Sequence, residues 1–484
     1  MSAFLGWGAI FGGVGLGYVI NKEIKKRARI GRLDILNFTP FSILSEYLNC
    51  DDLIELAKIN RYFKKEVFNK AKTVCEIYDV QDQADLMGIF KDVKMSMKLN
   101  SKIKNDEIKM LVNVVSLDTR ECTWIRDDGL EHLTNLRSLR FGHWNQISDF
   151  TVFRLTQLTS LSFSNEIITD DGLDNLTFLK ALKFNNNENR ITDRGLMKLV
   201  NLVSLNMKFG LISDQALMCL TKLTSLRIYL NDRITDRGVG MLRGLKVLSV
   251  GARIFTPPML NVTDAGIIGL NLTELDISNN KCITDAAVGT FRNLTSLNIQ
   301  SNNKITDDAV SVLTNLRSLN LGLNNLISND AVKCLVNLTS LNLFGNRRIS
   351  SLKGLVKLQR LNLEFNDMIW GRDLMSVLNL TDLNLNSTSF NVESYLKCLT
   401  KLCSLNVRNY KSIEDATLGK LTNLTRLTCR GNCLLTKAAI LRLPKLKVLC
   451  LASHAKFEEA YSVRKLRGRK DDVIPTWESE HPVK

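Results

Sequence analysis

The sequence predicts an α/β solenoid in which a parallel sheet lines the concave side and short helices lie on the convex side. The main observation is a phrase, L-x-x-L-x-Φ with Φ apolar, that recurs mostly at 22-residue intervals. Units of this length stack into one continuous core because none buries its apolar face alone. A degenerate copy begins at Val114, and the first leucines of the others are Leu136, Leu158, Leu179, Leu202, Leu223, Leu245, Leu272, Leu294, Leu316, Leu338, Leu358, Leu380, Leu402, Leu424 and Leu446.

Two further observations describe the rest of the unit. An asparagine stands eight residues after the first leucine in many units, where its amide can satisfy backbone groups of a buried turn. Next comes Ile-Thr/Ser-Asp, a helix N-cap with an acidic residue at the favourable end of the helix dipole. The order strand, turn, short helix is that of a leucine-rich repeat. The asparagines are Asn187, Asn231, Asn280, Asn302, Asn324, Asn346, Asn366 and Asn432.

One interval is longer than the others. Leu245 and Leu272 are 27 residues apart, and the extra length contains Pro257 and Pro258. Prolines do not fit a ladder strand, so the segment is predicted to project as a loop. It is either a tolerated insertion or a binding loop.

Composition restricts the compartment and the partner. The 484 residues carry a net charge of +16, which favours an acidic partner. The 11 cysteines are scattered and odd in number, which favours a reducing compartment over a disulfide framework. Protein is favoured over nucleic acid as the partner, because no RNA-recognition motif or zinc finger occurs.

The amino terminus is predicted to be a membrane anchor. Residues 2–20 contain no charge, and a basic cluster follows from Lys22 to Arg32. The length is close to that of a membrane span, and the following positive charges place the repeats on the cytosolic side. A buried or interfacial apolar helix is the alternative interpretation.

The segment between anchor and repeats has helical periodicity. Its order of residues resembles an F-box over about 33 positions: Pro40, Ile43, Leu44, Tyr47, Leu48, Asp52, Leu53, Leu56, Ile59 and Phe63. The resemblance implies binding of a Skp-type adaptor of a cullin–RING ubiquitin ligase, with the repeats choosing the substrate. The implied adaptor contacts are Pro40, Ile43, Leu44, Leu48, Leu53 and Ile59. A helical cap that closes the solenoid is the other interpretation.

The predicted organisation has six parts. They are a transmembrane anchor (1–21), a basic juxtamembrane linker (22–35), an F-box-like helical segment (36–70), a helical linker or N-terminal cap (71–110), the repeats (111–452) and a basic C-terminal cap or tail (453–484).

Partner contacts are predicted where the concave positions depart from the consensus. The second, fourth and sixth residues after each first leucine face the concavity, and the fourth is repeatedly asparagine. Exceptions are basic or aromatic, which suits an acidic partner. A solvated charged face is the alternative. The predicted contacts are Arg140, Lys183, Lys208, Arg227, Tyr229, Arg408, Arg426 and Arg430.

No catalytic motif, nucleotide fingerprint, cofactor site or metal-ligand pattern occurs in the sequence. The leading hypothesis is therefore a non-enzymatic, membrane-tethered, F-box-like receptor that recruits proteins with acidic surfaces for ubiquitination. The alternative is a scaffolding membrane protein, including a virion-membrane component of a large DNA virus.

Overall fold

A computed structural model describes most of the repeat region. The described residues are 74–77, 95–99, 101, 103–109, 111, 114–185, 190–208, 211–251, 261–389, 392–410, 413–429, 435–450 and 460–462. The predicted anchor, the basic linker, the F-box-like segment with its six adaptor contacts, and the loop at 252–260 lie outside them.

The chain divides after Leu223 into two compact units, residues 1–223 and 224–484. In the first unit, the strands pair in parallel with their neighbours in chain order. These strands are β1 (Val74–Ile77), β2 (Met95–Leu99), β3 (Val114–Thr119), β4 (Ser138–Phe141), β5 (Ser160–Phe163), β6 (Ala181–Asn185) and β7 (Ser204–Lys208). Each step of the chain along the sheet therefore adds one repeat.

Short helices follow the strands of the first unit. They are α1 (Asn105–Ile108), α2 (Asp127–Leu130), α3 (Asp149–Arg154), α4 (Asp170–Leu173), α5 (Asp193–Met197) and α6 (Asp214–Cys219). A serine or threonine caps each helix from α3 to α6 by accepting a hydrogen bond from a backbone N–H of the first turn.

The second unit repeats the arrangement with shorter strands. From β8 to β18 the pairing is parallel in chain order, and β19 pairs antiparallel with β18. The strands are β8 (Ser225–Tyr229), β9 (Val247–Ser249), β10 (Glu274–Asp276), β11 (Ser296–Asn298), β12 (Ser318–Asn320), β13 (Ser340–Asn342), β14 (Arg360–Asn362), β15 (Asp382–Asn384), β16 (Ser404–Asn406), β17 (Arg426–Thr428), β18 (Val448–Cys450) and β19 (Ala460–Ser462).

The helices of this unit are equally short. They are α7 (Asp236–Gly240), α8 (Asp264–Ile267), α9 (Asp285–Val288), α10 (Asp307–Val310), α11 (Asn329–Val332), the 3₁₀ helix η1 (Gly371–Ser376), α12 (Glu393–Leu396), α13 (Asp415–Leu418) and α14 (Lys437–Arg442). The repeat after β13 contains turns instead of a helix, and it is also the shortest, with a spacing of 20 residues from Leu338 to Leu358.

The leucine phrase forms the core of both units. In the repeat that begins at Leu294, the side chains of Leu294, Leu297 and Ile299 are almost fully buried, whereas Ser296 and Asn298 flank Leu297 on the open face. This alternation is the period of two of a strand with one buried face. The prediction of a repeat solenoid with a parallel sheet and short helices is confirmed.

The predicted asparagine row is a hydrogen-bonded ladder. Asn324 donates to the carbonyls of Ile299 and Asn302 in the preceding repeat, at 3.3 and 2.9 Å. Its side-chain oxygen accepts from the N–H groups of Leu326 and Ile327 in its own turn. These bonds satisfy backbone groups that are buried away from water, so the role of the row is structural.

A second ladder runs along the start of the helices. The carboxylate of Asp285 accepts hydrogen bonds from the N–H and the hydroxyl of Thr306 in the next repeat, at 2.8 and 2.5 Å. The same pair of bonds recurs in both units; for example, the carboxylate of Asp193 accepts from the N–H and the hydroxyl of Ser213. The acidic residue of the Ile-Thr/Ser-Asp phrase therefore joins neighbouring repeats, in addition to its position in the first helical turn.

The helical expectation for residues 71–110 needs correction. The described part contains the strands β1 and β2, which extend the sheet of the first unit ahead of Val114. Met97 and Leu99 of β2 are buried. This strand does not match the leucine pattern, because Met97 stands in place of a leucine and no first leucine precedes it. Helix α1 is the helical element that the structure describes there. Across the described ranges, no helix is long and apolar enough to cross a bilayer.

Candidate functional site

The open sheet face of the first unit contains a basic groove. This groove has a volume of about 260 Å³ and extends from the end of β3 across β4, β5 and β6 to β7. We call it the basic groove; the polar residues that line it are Arg120, Arg140, Ser160, Ser162, Lys183, Ser204 and Asn206. Two predicted contacts, Arg140 and Lys183, therefore line one depression.

Small side chains between the cations open this groove. Ser160 and Ser162 on β5 lie between Arg140 on β4 and Lys183 on β6. Ala181 and Ser204 add no bulk on the two following strands. Side chains on neighbouring parallel strands stand about 4.8 Å apart, so small residues on β5 leave room beside the two long cations.

The charges of the groove are unequally available. Arg120 donates three hydrogen bonds to the carboxylate of Asp118, at 2.6–3.1 Å. Partial burial raises the pKa of the Asp118 carboxyl, but the hydrogen bonds from Arg120 outweigh it, so this pKa lies below its ordinary value. Among the described residues, the exposed side chains of Arg140 and Lys183 form no ion pair, although the charge of Arg140 also contributes to the lowered pKa of the Asp118 carboxyl. These two cations are thus the charges that a partner can bind.

Lys208 extends the same face. It ends β7, two residues after Asn206, and is half-buried. Its position agrees with the predicted strip, although it is not part of the lining of the basic groove.

Arg227 and Tyr229 belong to the second unit and interact within it. The guanidinium of Arg227 lies 3.3 Å from the carboxylate of Glu274. The hydroxyl of Ser249 hydrogen-bonds both the Tyr229 hydroxyl, at 3.1 Å, and the Asp276 carboxylate, at 3.0 Å. Because these groups already have partners in their own chain, they form a polar cluster that is largely satisfied.

The late arginines differ from one another in accessibility. Arg426 is exposed on β17, whereas Arg408 is half-buried and its Nε atom has no hydrogen-bond partner. Arg430 lies outside the described residues. The structure therefore describes the surroundings of two of the three predicted late contacts.

The side-chain oxygens of the fourth-position asparagines are hydrogen-bonded within the chain. Each uses its side-chain oxygen to accept the N–H two residues later, which ends the strand in a tight turn. The distances are 3.0–3.1 Å for Asn298, Asn320, Asn342, Asn362, Asn384 and Asn406. The interpretation of these positions as consensus is supported by this geometry.

Sequence reasoning missed three residues near the basic groove. Arg120 is the sixth residue after Val114, so the degenerate copy carried the signal. Trp124 and Trp144 follow β3 and β4, and both are exposed. The asparagine spacing of their turns is irregular, and this irregularity is the sequence signal that could have drawn attention to the two tryptophans. Within the described ranges, no group of histidine, cysteine or acidic side chains is placed to hold a metal ion.

Comparison with known families identifies the repeats. The family described as Leucine Rich repeat matches residues 219–242, 269–291, 292–313 and 312–336, and no F-box domain was detected. These segments of the chain are leucine-rich repeats. No curated protein is significantly similar to its sequence.

Solved structures match this chain over about two thirds or more of its length. An internalin of Listeria monocytogenes, InlF, is 23% identical, with 73% of this chain and 90% of that chain covered and a TM-score of 0.31. The functional domain of InlJ from the same organism, which includes a cysteine ladder, is 21% identical over 68% and 76%, with a TM-score of 0.39. The yeast Rad7–Elc1 complex gives 17% over 78% and 92%, with a TM-score of 0.41. At these identities and TM-scores, the function of none of these proteins is assigned to this chain.

Proposed function

We propose that this chain is a protein-binding receptor whose first unit binds an acidic protein surface in the basic groove. The single observation behind the proposal is that Arg140 and Lys183 flank a serine-lined depression without an ion-pair partner in the described structure. Unpaired cations beside an open groove attract a carboxylate-bearing partner and fix its position.

The groove favours a protein over a nucleic acid. Its polar lining is mainly serine hydroxyls and one amide, and it carries two unpaired cations rather than a continuous basic track. Nucleic-acid binding depends on many phosphate contacts along such a track.

The finer proposal is that the chain recruits the bound protein to a cullin–RING ubiquitin ligase. Support comes from the resemblance of residues 36–70 to an F-box, with Ile43 and Leu44 as the implied centre of the adaptor contact. Under the scaffold alternative, the same residues cap the repeats. Tethering by residues 2–20 to a cellular membrane, with the repeats in the cytosol, or to a virion membrane, remains part of the proposal.

The binding proposal is tested with the full chain and a matched charge control. Arg140→Glu/Lys183→Glu should lose the acidic proteins captured by the unchanged chain, after nuclease treatment removes nucleic acid. Arg348→Glu/Arg360→Glu makes the same charge change at exposed residues outside the basic groove and should keep them. Capture that is unaffected by the first pair would contradict the proposal.

The adaptor proposal has a separate test. Purified Skp-type adaptor should bind the full chain, and an Ile43→Asp/Leu44→Asp variant should fail to bind it. A folded chain that does not bind the adaptor favours the scaffold alternative and leaves the groove proposal standing.

A further inference from the structure

Two exposed tryptophans lie on neighbouring turns, which follow the strands β3 and β4 beside Arg120 and Arg140 of the basic groove. Trp124 follows β3 and Trp144 follows β4, and their side chains are 59% and 63% exposed. The backbone N–H of Trp124 donates to the carbonyl of Trp144 at 3.3 Å. Large aromatic side chains gain more than most from burial, so an exposed pair on neighbouring turns is an uncovered apolar surface.

The backbone of Trp124 is strained. Its φ is 67°, in the left-handed region that bulky residues seldom adopt. Such a conformation is unfavourable for a bulky side chain, and an asparagine or glycine would relieve much of the strain. Neither core packing nor backbone preference explains an exposed tryptophan here, which points to a role in binding.

The turn of Trp144 adjoins the basic groove directly. Gly142 packs so closely on Arg120 that a Cβ atom would lie 2.9 Å from the Arg120 carbonyl oxygen. His143 stacks edge-on against Trp144, with ring centroids 5.3 Å apart, and its Nδ1 is 3.4 Å from the carbonyl oxygen of Ser164. The glycine and the histidine thus tie this aromatic turn to β3 and β5.

The dimensions of the groove suggest the length of its occupant. The groove extends over the faces of β3 to β7, which is four strand spacings of about 4.8 Å, or roughly 19 Å. An extended chain covers that distance with about six residues at roughly 3.3 Å each. Two unpaired cations along this path favour acidic residues in the chain.

We propose that Trp124 and Trp144 form an anchor site for an aromatic or apolar side chain at one end of an extended, acidic segment of about six residues. The inference rests on the proposed function, because the segment lies in the basic groove. Tryptophans and arginines at a partly desolvated site are the residues that most often dominate the affinity of an interface.

Synthetic peptides test the anchor with the full chain. The probes are fluorescent peptides with a phenylalanine at either end of six alternating Glu and Asp residues. Matched peptides replace the phenylalanine by alanine, or the acidic residues by their amides. The phenylalanine peptide of the preferred direction should bind at least tenfold more tightly than the alanine peptide, and the amide peptide should not bind.

Two variants separate the anchor from a structural role. Trp124→Asn and Trp144→Ala should each remove most of the advantage of phenylalanine while the alanine peptide binds as before. Asparagine suits the backbone of residue 124, so Trp124→Asn should unfold at the same or a higher urea concentration. Trp370→Ala, at an equally exposed tryptophan of the second unit, is the control and should change nothing.

The outcomes distinguish the anchor from the groove. Equal affinity for the phenylalanine and alanine peptides, with binding lost in Arg140→Glu/Lys183→Glu, would overturn the anchor and leave the groove proposal intact. Binding of the amide peptide as tightly as the acidic one would overturn both. Tighter binding of an oligothymidine than of any acidic peptide would also overturn both, in favour of a nucleic-acid partner.

Discussion

The open sheet faces of the two units differ in what their polar side chains do. In the second unit, six asparagines from Asn298 to Asn406 bind their own backbone. In the first unit, the same fourth position carries Arg140, Ser162, Lys183 and Asn206, and several of these side chains point into a groove. Regular repeats use their polar groups on themselves, and binding capacity arises where the repeats depart from the consensus.

The buried asparagine ladder differs in the same way. Asn324 uses both its oxygen and its nitrogen, whereas the oxygens of Asn145 and Asn165 in the first unit have no partner. Asn145 and Asn165 stand nine and seven residues after the first leucines of their repeats, instead of eight, which alters the spacing that the ladder needs. The irregular turns that expose the tryptophans are therefore also less well hydrogen-bonded.

The largest expected effect sharpens this comparison. Asn324→Ala should lower the free energy of unfolding by roughly 3 kcal/mol, because four backbone groups lose their side-chain partner and three of these hydrogen bonds are buried. Asn145→Ala should cost only about 1 kcal/mol, since a single hydrogen bond to Thr119 is lost. Urea unfolding measures the cost of each substitution, and hydrogen exchange at Leu326 and Ile327 reports the local effect of Asn324→Ala. Equal costs would show that the two ladders do not differ.

The second ladder, in which an aspartate accepts hydrogen bonds from the next N-cap, is the same in both units. We therefore expect no difference between the units on this side. Asp285→Ala and Asp193→Ala should each cost about 1–2 kcal/mol through loss of two hydrogen bonds to the next N-cap. Asp308→Ala is the control and should cost little, because Asp308 is exposed and stands one residue after the ladder residue Asp307. Urea midpoints report the three changes; a clearly larger cost at one of the two ladder sites would mean that the units differ on this side too.

A smaller effect concerns backbone strain in the second unit. Phe365 has a φ of 54° and is 54% exposed, at the turn position where Ser301 stands in another repeat. Phe365→Asn should stabilise the protein by about 1 kcal/mol, because asparagine tolerates this conformation. Ser301→Phe should have the opposite sign. Thermal unfolding of both variants checks the prediction, and destabilisation by Phe365→Asn would instead reveal that the edge contact with Phe344 dominates.

The smallest effect leaves stability unchanged and probes the core of the first unit. Burial, with the nearby Glu121 and Asp118, raises the pKa of the Cys122 thiol to about 12. A raised pKa keeps this thiol protonated at pH 8, and the thiolate is the reactive form. Iodoacetamide should therefore modify the exposed Cys334, Cys398 and Cys403 first, as mass mapping would show. Modification of Cys122 at their rate would show that its repeat opens readily.

Periodicity alone determined the repeat, its core and its asparagine ladder. Leu294, Leu297 and Ile299 are buried because a strand alternates its faces, and Asn302 is buried because its turn needs an internal partner. These are local consequences of spacing, so they can be read from the chain. The strands β1 and β2 were not predicted, because Met97 does not match the leucine pattern. The burial of Met97 depends on the neighbouring strand β3.

Tertiary structure decided which polar residues are available. Arg140 and Arg227 both interrupt the consensus, yet Arg227 contacts Glu274, 47 positions away, while Arg140 forms no ion pair with any residue that the structure describes. The sequence likewise determined that the groove cations lie on one face, but the depression depends on small residues of β5, β6 and β7 standing beside them. Pairing and space are set by neighbours in adjacent repeats, which are close in the fold and distant in the chain.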